Sequence, residues 1–422
     1  MIRMNIKLLA LLALIPICSC TKPAPDSDEG DDNNGNNEQE VIKPSLDKFY
    51  KGTTMCFASY MQDVGLVYRE NGAESDPYTS VKKHGANIVR LQLDQIGFGS
   101  YNGVNIDWQS YERVLADMKK AKAAGLEVFL TLKPDYDIFS GSTVSHNNIP
   151  ESWKGQSDSK VGDLLYEWVY GTLDKLYKEG VYPAVVAVGN EVNVGFLKPS
   201  ASSNDASRTG ALLARGFAAV RKFSSDNSLS CAIALHIANP AKAESYVGSI
   251  EAAGGKDYDI IALSYYPGKD IGHSLPYNSV KTTVEALKRQ FGKPSMIVET
   301  AYSFTTGTVN GKWMGDWCDN AYNYPDWDDA ANSVNYTPAK QREWLRSLAE
   351  QVKAGGGVGL ITWGTESLPD ELSGYADGHG KKLYTYPADW AYGSTWENNS
   401  YWDFTDSNNL HEGIDWMKDI SE

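Results

Sequence analysis

The stretch DLLYEWVYGTLDKLYKEGVYPAVVAVGNE, residues 163–191, decides how the chain is read. Residues 163–180 predict a helix, closed by a glycine, and AVVAVG (184–189) is a near-continuous apolar run of strand length. The strand then stops on Asn190 and Glu191. A carboxylate at the end of an apolar run is either a solvated turn residue or a catalytic group, and the pattern around it has to separate the two.

The same alternation repeats outward in both directions. Strands are predicted at TTMCFASY (53–60), ANIVRLQL (86–93), LEVFLTL (126–132), LSCAIALH (229–236), DIIALSYYP (259–267), PSMIVETAY (294–302) and VGLITWG (358–364). Helices are predicted at 108–125, about 205–225, 240–253, 277–291 and 337–356. Eight apolar strands alternating with helices indicate an α/β fold of the (β/α)8, or TIM-barrel, type with all strands parallel. A doubly wound open sheet is the alternative, but no glycine-rich phosphate loop follows the first strand. No internal repeat or second domain is visible, so 46–422 is expected to be one barrel domain.

The segment ahead of the barrel has a different character. MIRMNIKLLALLALIPICSC (1–20) has a basic start, an apolar run and small residues before Cys20, the pattern of a secretory signal with a lipoprotein processing site. Cys20 is expected to carry a lipid, and 21–45, acidic and rich in Asn and Gly, is expected to be a disordered tether. Such a run resembles the tethers of surface lipoproteins of Gram-negative bacteria, which implies attachment at the outer membrane and cell surface. The net charge of −15, without a basic cluster, argues against nucleic-acid binding. Cys56, Cys231 and Cys318 lack metal-ligand spacing and are expected to form no bridge. The chain is expected to act as a monomer.

In a (β/α)8 barrel the C-terminal strand ends gather at one mouth, where active sites form. Here those ends carry Asn190 and Glu191 (strand four), His236 (five), Ser264, Tyr265 and Tyr266 (six), Glu299 (seven) and Trp363 (eight), with Arg90 in strand two. Strands four and seven lie across the barrel from each other, so Glu191 and Glu299 are expected to face one another over a cleft. Two opposed carboxylates are what glycoside hydrolysis requires: one donates a proton to the leaving oxygen, the other attacks the anomeric carbon or activates water. Arg90 is placed to keep one carboxylate charged, a tyrosine hydroxyl to hydrogen-bond the nucleophile, and Asn190 to hold a sugar 2-hydroxyl. Of the adjacent tyrosines 265 and 266, one is expected to reach the cleft and the other to pack outward. His236 fits either a substrate contact or a strand-end hydrogen bond, and Glu366 reads as polar framework. The aromatic run 312–327, with Trp313, Trp317, Tyr322 and Trp327, fits either sugar subsites or a mini-core under a long loop.

In these motifs the chain resembles glycoside hydrolase family 53, the endo-β-1,4-galactanases. VGNEVNVGFL, DIIALSYYP, IVETAYSF and WENNSYWDF carry the resemblance, and their spacing is similar over most of 50–415. It implies Glu191 as acid/base, Glu299 as nucleophile, Arg90, Asn190, His236 and Tyr266 as support, Trp396 near the cleft, and β-1,4-galactan of pectic arabinogalactan as substrate. The chain departs from the family pattern at MCFAS (55–59), at Lys133-Pro134-Asp135, and at Lys198, where the family often has tryptophan. These positions fall on the expected substrate rim. The family sometimes binds calcium in the strand-eight loop, where Asp370, Glu371 and Asp377 offer oxygens; without EF-hand-like spacing, no metal and no cofactor is expected. Other β-glycans such as mannan or xylan are the alternative substrates, and a non-catalytic glycan-binding lipoprotein is the alternative of another kind.

Overall fold

The computed structural model describes residues 44–421 except 64, 97–98, 102–103, 107–108, 141–142, 201–204, 267–274, 306–307, 310–311, 314–335 and 369–396. The expected leader and most of the tether therefore lie outside the described residues. So do Cys318, Trp317, Tyr322, Trp327, Asp370, Glu371, Asp377 and Trp396, and the side chain of Trp313.

Eight strands form the barrel: β1 (Tyr50–Thr54), β2 (Ile88–Asp94), β3 (Glu127–Lys133), β4 (Val185–Val188), β5 (Ala232–Ala238), β6 (Ile260–Ser264), β7 (Ser295–Glu299) and β8 (Gly359–Thr362). Each pairs in parallel with its neighbour in sequence, and β8 pairs back onto β1. The helices between them are α1 (Ala58–Asp63), α2 (Pro77–Lys83), α3 (Tyr111–Ala123), α4 (Asp158–Lys178), α5 (Ala206–Asp226), α6 (Ala243–Ala252), α7 (Val280–Phe291) and α8 (Pro338–Ala354). Local chemistry sets their starts. Asp76, Ser110, Ser157, Asp205 and Thr337 each accept a backbone N–H of the first turn, and Pro77 and Pro338 open their helices where no donor is needed.

Two predicted strands sit elsewhere than expected. The first is not 53–60 but Tyr50–Thr54, and Ala58–Asp63 coils into α1. Lys51 and Gly52 disguise the strand as polar. Lys51 is buried because its ammonium donates to Ile420 O at 2.8 Å. Gly52 is required by proximity, since a Cβ there would lie 2.1 Å from Ile88 O across the ladder. The fifth strand begins three residues later than predicted and runs on to Ala238, so His236 lies within it and not at its end.

Side chains alternate along each strand. One set, including Ile88, Phe129, Val185, Ala187, Ala232, Ala234, Ile260, Ala262, Met296, Val298 and Ile361, fills the barrel interior. The other packs beneath the helices with Leu165, Leu213, Val247 and Trp344. The interior set forms an apolar floor, and the next inward positions along the same strands are polar: Arg90 after Ile88, Thr131 after Phe129, His236 after Ala234, Ser264 after Ala262.

Glu366 follows β8 and is fully buried. The backbone N–H groups of Cys56 and Phe57 approach its carboxyl without closing a well-formed hydrogen bond among the described residues. Burial therefore dominates and raises the group from its ordinary 4.5 to about 8. The folded chain holds this proton where the unfolded chain releases it, so the associated stability is complete below about pH 4.5 and is lost as pH rises through about 8. Glu366→Gln, neutral throughout, is expected to raise Tm at pH 8 and much less at pH 5, through a few kcal/mol on an order-of-magnitude scale. Parallel Tm–pH curves for the two proteins would refute this.

Candidate active site

The group at the mouth is assembled from seven of the eight strands or the turns that follow them. Arg90, fully buried, sits above Ile88 with its guanidinium between the Phe129 and Trp363 rings, at 5.9 and 5.2 Å from their centroids. Its Nη1 donates to Glu299 Oε1 at 2.7 Å and Val298 O at 3.3 Å. Nη2 donates to Asn190 Oδ1 at 2.7 Å and Nε to Thr131 Oγ1 at 3.2 Å. One side chain thus ties β2, β3, β4 and β7 together.

Strand alternation alone would turn Glu299 outward, because Val298 belongs to the interior set. A register shift corrects this. Along β6–β7, Leu263 pairs with Ile297 but Ser264 pairs with Glu299, so Val298 is the extra residue of a bulge. Such a bulge re-aims the following side chain, and here it delivers Glu299 to the cleft. Tyr266 OH then donates to Glu299 Oε2 at 3.3 Å, so each carboxylate oxygen has its own partner.

Glu191 reaches the cleft by a different distortion. Its backbone is left-handed, with φ of 47°, in a turn that also holds Gly189 and Gly195 at positive φ. A non-glycine residue there costs of the order of 1–2 kcal/mol and persists only where its surroundings hold it. They do. Glu191 N donates to His236 Nδ1 at 3.3 Å, Asn147 Nδ2 donates to Asn190 O at 3.1 Å and Gly195 O at 2.8 Å, and Asn193 bridges to both polar groups of Ala238.

His236 is buried, and its other nitrogen meets Ser264 Oγ at 2.9 Å. Burial, then the nearby positive charge of Arg90, push the imidazole well below its ordinary range, so it is neutral. With Nδ1 accepting, Nε2–H donates to Ser264, whose hydroxyl also acts on the Glu191 carboxyl and favours its charged form. Glu191, His236 and Glu299 each bring one ligand-type atom within 4.8 Å of the others. A cation fits this trio poorly, because both imidazole nitrogens are already engaged and Arg90 supplies the positive charge.

Burial, with the facing charge of Glu299, raises the Glu191 carboxyl to about 7; the Ser264 hydrogen bond and the charges of Arg90 and His146 offset part of this. The two carboxyls are thus unlike. One holds a proton near neutrality, and the other has a fixed counter-charge in Arg90 and a hydroxyl donor in Tyr266. A spacing of about 5 Å is the one at which the second carboxylate attacks directly, without an intervening water.

The observed geometry settles the choice between the tyrosines. Tyr266 joins the cleft, whereas Tyr265, fully buried, donates outward to Leu275 O at 3.4 Å. Trp363 follows β8 and lies beside Arg90 and Phe57. Sequence reasoning missed Gln92, whose Nε2 donates to Asn190 Oδ1 at 3.2 Å. With Arg90 on the same oxygen, this fixes the amide so that its NH2 group is left for a ligand. Gln92 stands two residues after Arg90, so period-two counting could have found it. Asn147 and His146, on the strand Thr143–Asn148 of a hairpin that follows β3, carried no such signal.

The family model for glycosyl hydrolase family 53 matches residues 50–415. The chain belongs to glycosyl hydrolase family 53. It is 30% identical over 370 residues to an arabinogalactan endo-beta-1,4-galactanase of Cellvibrio japonicus, covering 86% of this chain and 88% of that one. To an endo-beta-1,4-galactanase of Bacillus subtilis it is 28% identical over 352 residues, covering 81% and 76%. The solved GH53 catalytic domain of Ignisphaera aggregans matches the fold at a TM-score of 0.66 and 24% identity, over 90% of this chain and 98% of that one. Family 53 membership makes this chain a glycoside hydrolase, and the paired carboxylates lie within the matched span.

A pH dependence follows for this family 53 enzyme. If Glu191 serves as a general acid, which works only while it holds its proton, kcat/KM is expected to fall as pH rises through about 7, the value to which Glu191 is raised. An activity that stays level between pH 6 and 9 would count against this assignment.

Proposed function

We propose that this chain is an endo-acting, retaining β-1,4-galactanase that works on the galactan of pectic arabinogalactan by double displacement. The observation that carries the reading is the unlike pair Glu191 and Glu299, with ligand-type atoms within 4.8 Å and Arg90 bound to only one of them. Both curated relatives named above bear galactanase names, and this supports the substrate.

Glu299 attacks the anomeric carbon while the bond to the leaving sugar breaks, and Glu191 gives its proton to the departing oxygen. The product of this step is an α-linked galactosyl ester of Glu299. Water then loses a proton to Glu191 and attacks the same carbon. The ester bond breaks, Glu299 returns to its anionic form and the new hemiacetal is β. Asn190, its oxygen fixed by Arg90 and Gln92, offers its NH2 group to the 2-hydroxyl, a contact that strengthens at the transition state. Proton NMR of early products should show the β-anomer first, with reducing ends released within galactan chains. No cleavage of galactan in a panel that includes mannan and xylan would overturn the substrate.

We also infer that the enzyme is a monomer held at the surface of a Gram-negative cell by a lipid on Cys20, with 21–45 as tether. The support is the residue pattern of 1–45. Cys20→Ala should move the enzyme from the membrane fraction to the soluble fraction, and continued membrane attachment would refute the anchor.

A further inference from the structure

A cleft of about 260 Å³ opens on the outer wall of the barrel, between α3 and α4 and beside the end of β2. Gln95, Tyr111, Glu167, Trp168, Thr172 and Lys175 are among its lining residues. None of them takes part in the site at the mouth. Two observations on this wall lack a structural explanation.

The first is Gly171, which also lines the cleft, in the interior of α4. Glycine there costs about 1 kcal/mol relative to alanine. Its backbone is not left-handed, and a Cβ built on it would meet nothing within 4 Å. Neither conformation nor packing requires the missing side chain. Its effect is a notch in the helix surface, flanked by Trp168 and Thr172 and by Lys175 one turn on, which share one helical face. The second is Gln95 Oε1, which is shielded from solvent and has no hydrogen-bond partner among the described residues.

We propose that this cleft is a second carbohydrate site that holds one galactosyl unit of the polymer. Its volume falls just below the ~300–1,000 Å³ of pockets for drug-sized ligands, which suits a single pyranose. Two aromatic side chains offer flat apolar faces. The axial 4-hydroxyl of β-galactose leaves the hydrogens of C3, C4 and C5 together on the opposite face, a surface made for such a ring. Glu167 accepts, Lys175 donates, Thr172 does either, and a turn of the Gln95 side chain would free its unpartnered oxygen, which matches a ligand whose edge is all hydroxyls. Asp94, at the end of β2 and also on the cleft wall, lies about 13 Å along the strand from Arg90, by the rise of ~3.3 Å per residue. A polymer held here is therefore kept close to the mouth, which raises its effective concentration at the catalytic pair.

The substrate identity rests on the galactanase reading, and the test separates the two. Full-length Glu299→Gln, Glu299→Gln/Trp168→Ala and Glu299→Gln/Gly171→Leu are run in native gels containing β-1,4-galactan, where retardation reports binding without turnover. The Leu variant fills the notch and favours the helix, so it remains informative if loss of Trp168 harms folding. Each cleft substitution should weaken retardation roughly 3–10-fold. In the active background, Trp168→Ala and Gly171→Leu should lower kcat/KM on the polymer by a similar factor and leave a short aryl galactoside within twofold. An active wild type with unchanged retardation in both variants, or with polymer and aryl galactoside reduced alike, overturns the cleft site. Retardation that depends on Trp168 in a protein that does not cut galactan keeps the cleft site and overturns the substrate reading.

Discussion

Glu299→Ala is expected to lower turnover on galactan by roughly 10⁴-fold or more, with binding retained. The nucleophile is the group that forms and later breaks the bond to the sugar, and no neighbour can replace it. Tyr266 and Arg90 hold its two oxygens but carry no carboxylate of their own. Loss of Glu191 should be milder and of another kind, because general acid catalysis contributes about 10²–10⁴-fold and matters less as the leaving group improves. Added azide separates the two. Occupying the space of a missing Glu299 carboxylate, it should attack directly and give the α-galactosyl azide; in Glu191→Ala it should attack the galactosyl ester and give the β-azide. The same anomer from both variants, or Glu299→Ala at more than a few per cent of normal activity, would sink the assignment.

Arg90→Ala should come next in size and should damage the fold as well as the rate. Arg90 places four donor contacts on Glu299, Val298, Asn190 and Thr131, all from a fully buried position. Without it, Glu299 becomes a buried carboxylate with no cation, a loss expected to cost about 3–5 kcal/mol of stability. Asn190 loses the stronger of the two bonds that orient its amide, and removal of one preorganised donor of this type costs about 10²–10³ in kcat. Arg90→Lys restores a charge but not the fork, so stability should recover further than turnover. Urea unfolding and steady-state kinetics read both quantities. An alanine variant within 1 kcal/mol and tenfold of the parent would show that Arg90 is not the tie between the strands.

Much of this was legible in the residues, and the failures have physical causes. Apolar runs marked seven of the barrel strands well enough to place Asn190, Glu191 and Arg90, because a parallel strand buried on both faces can carry little else. The first strand escaped because it contains Lys51 and Gly52, whose reasons are the carbonyls of Ile420 and Ile88, remote in sequence. Glu299 faces the cleft for a reason that strand order alone does not contain. Period-two counting from Val298 points it the wrong way, and only the bulge against β6 brings it inward. Gln92 was within reach of the pattern, whereas the role of Asn147 depends on a hairpin touching a distant turn. The family resemblance supplied the substrate, which no count of carboxylates contains.

The close approach of Gly52 to Ile88 has a consequence for the order in which the molecule is made. β1 pairs on one side with β2 and on the other with β8, so Tyr50 must find Gly359 from the far end of the barrel sequence. Contacts so distant are slow to form, because the chain loses its loop entropy before the ladder rewards it. Until that seam closes, β1 and β8 are bare edges open to pairing with other chains. The bare backbone at Gly52 lets β1 lie close against β2, its near neighbour in sequence, which leaves the ladder to β8 as the distant one. The ladder between β1 and β8 is therefore the place where the forming barrel is most open to wrong partners.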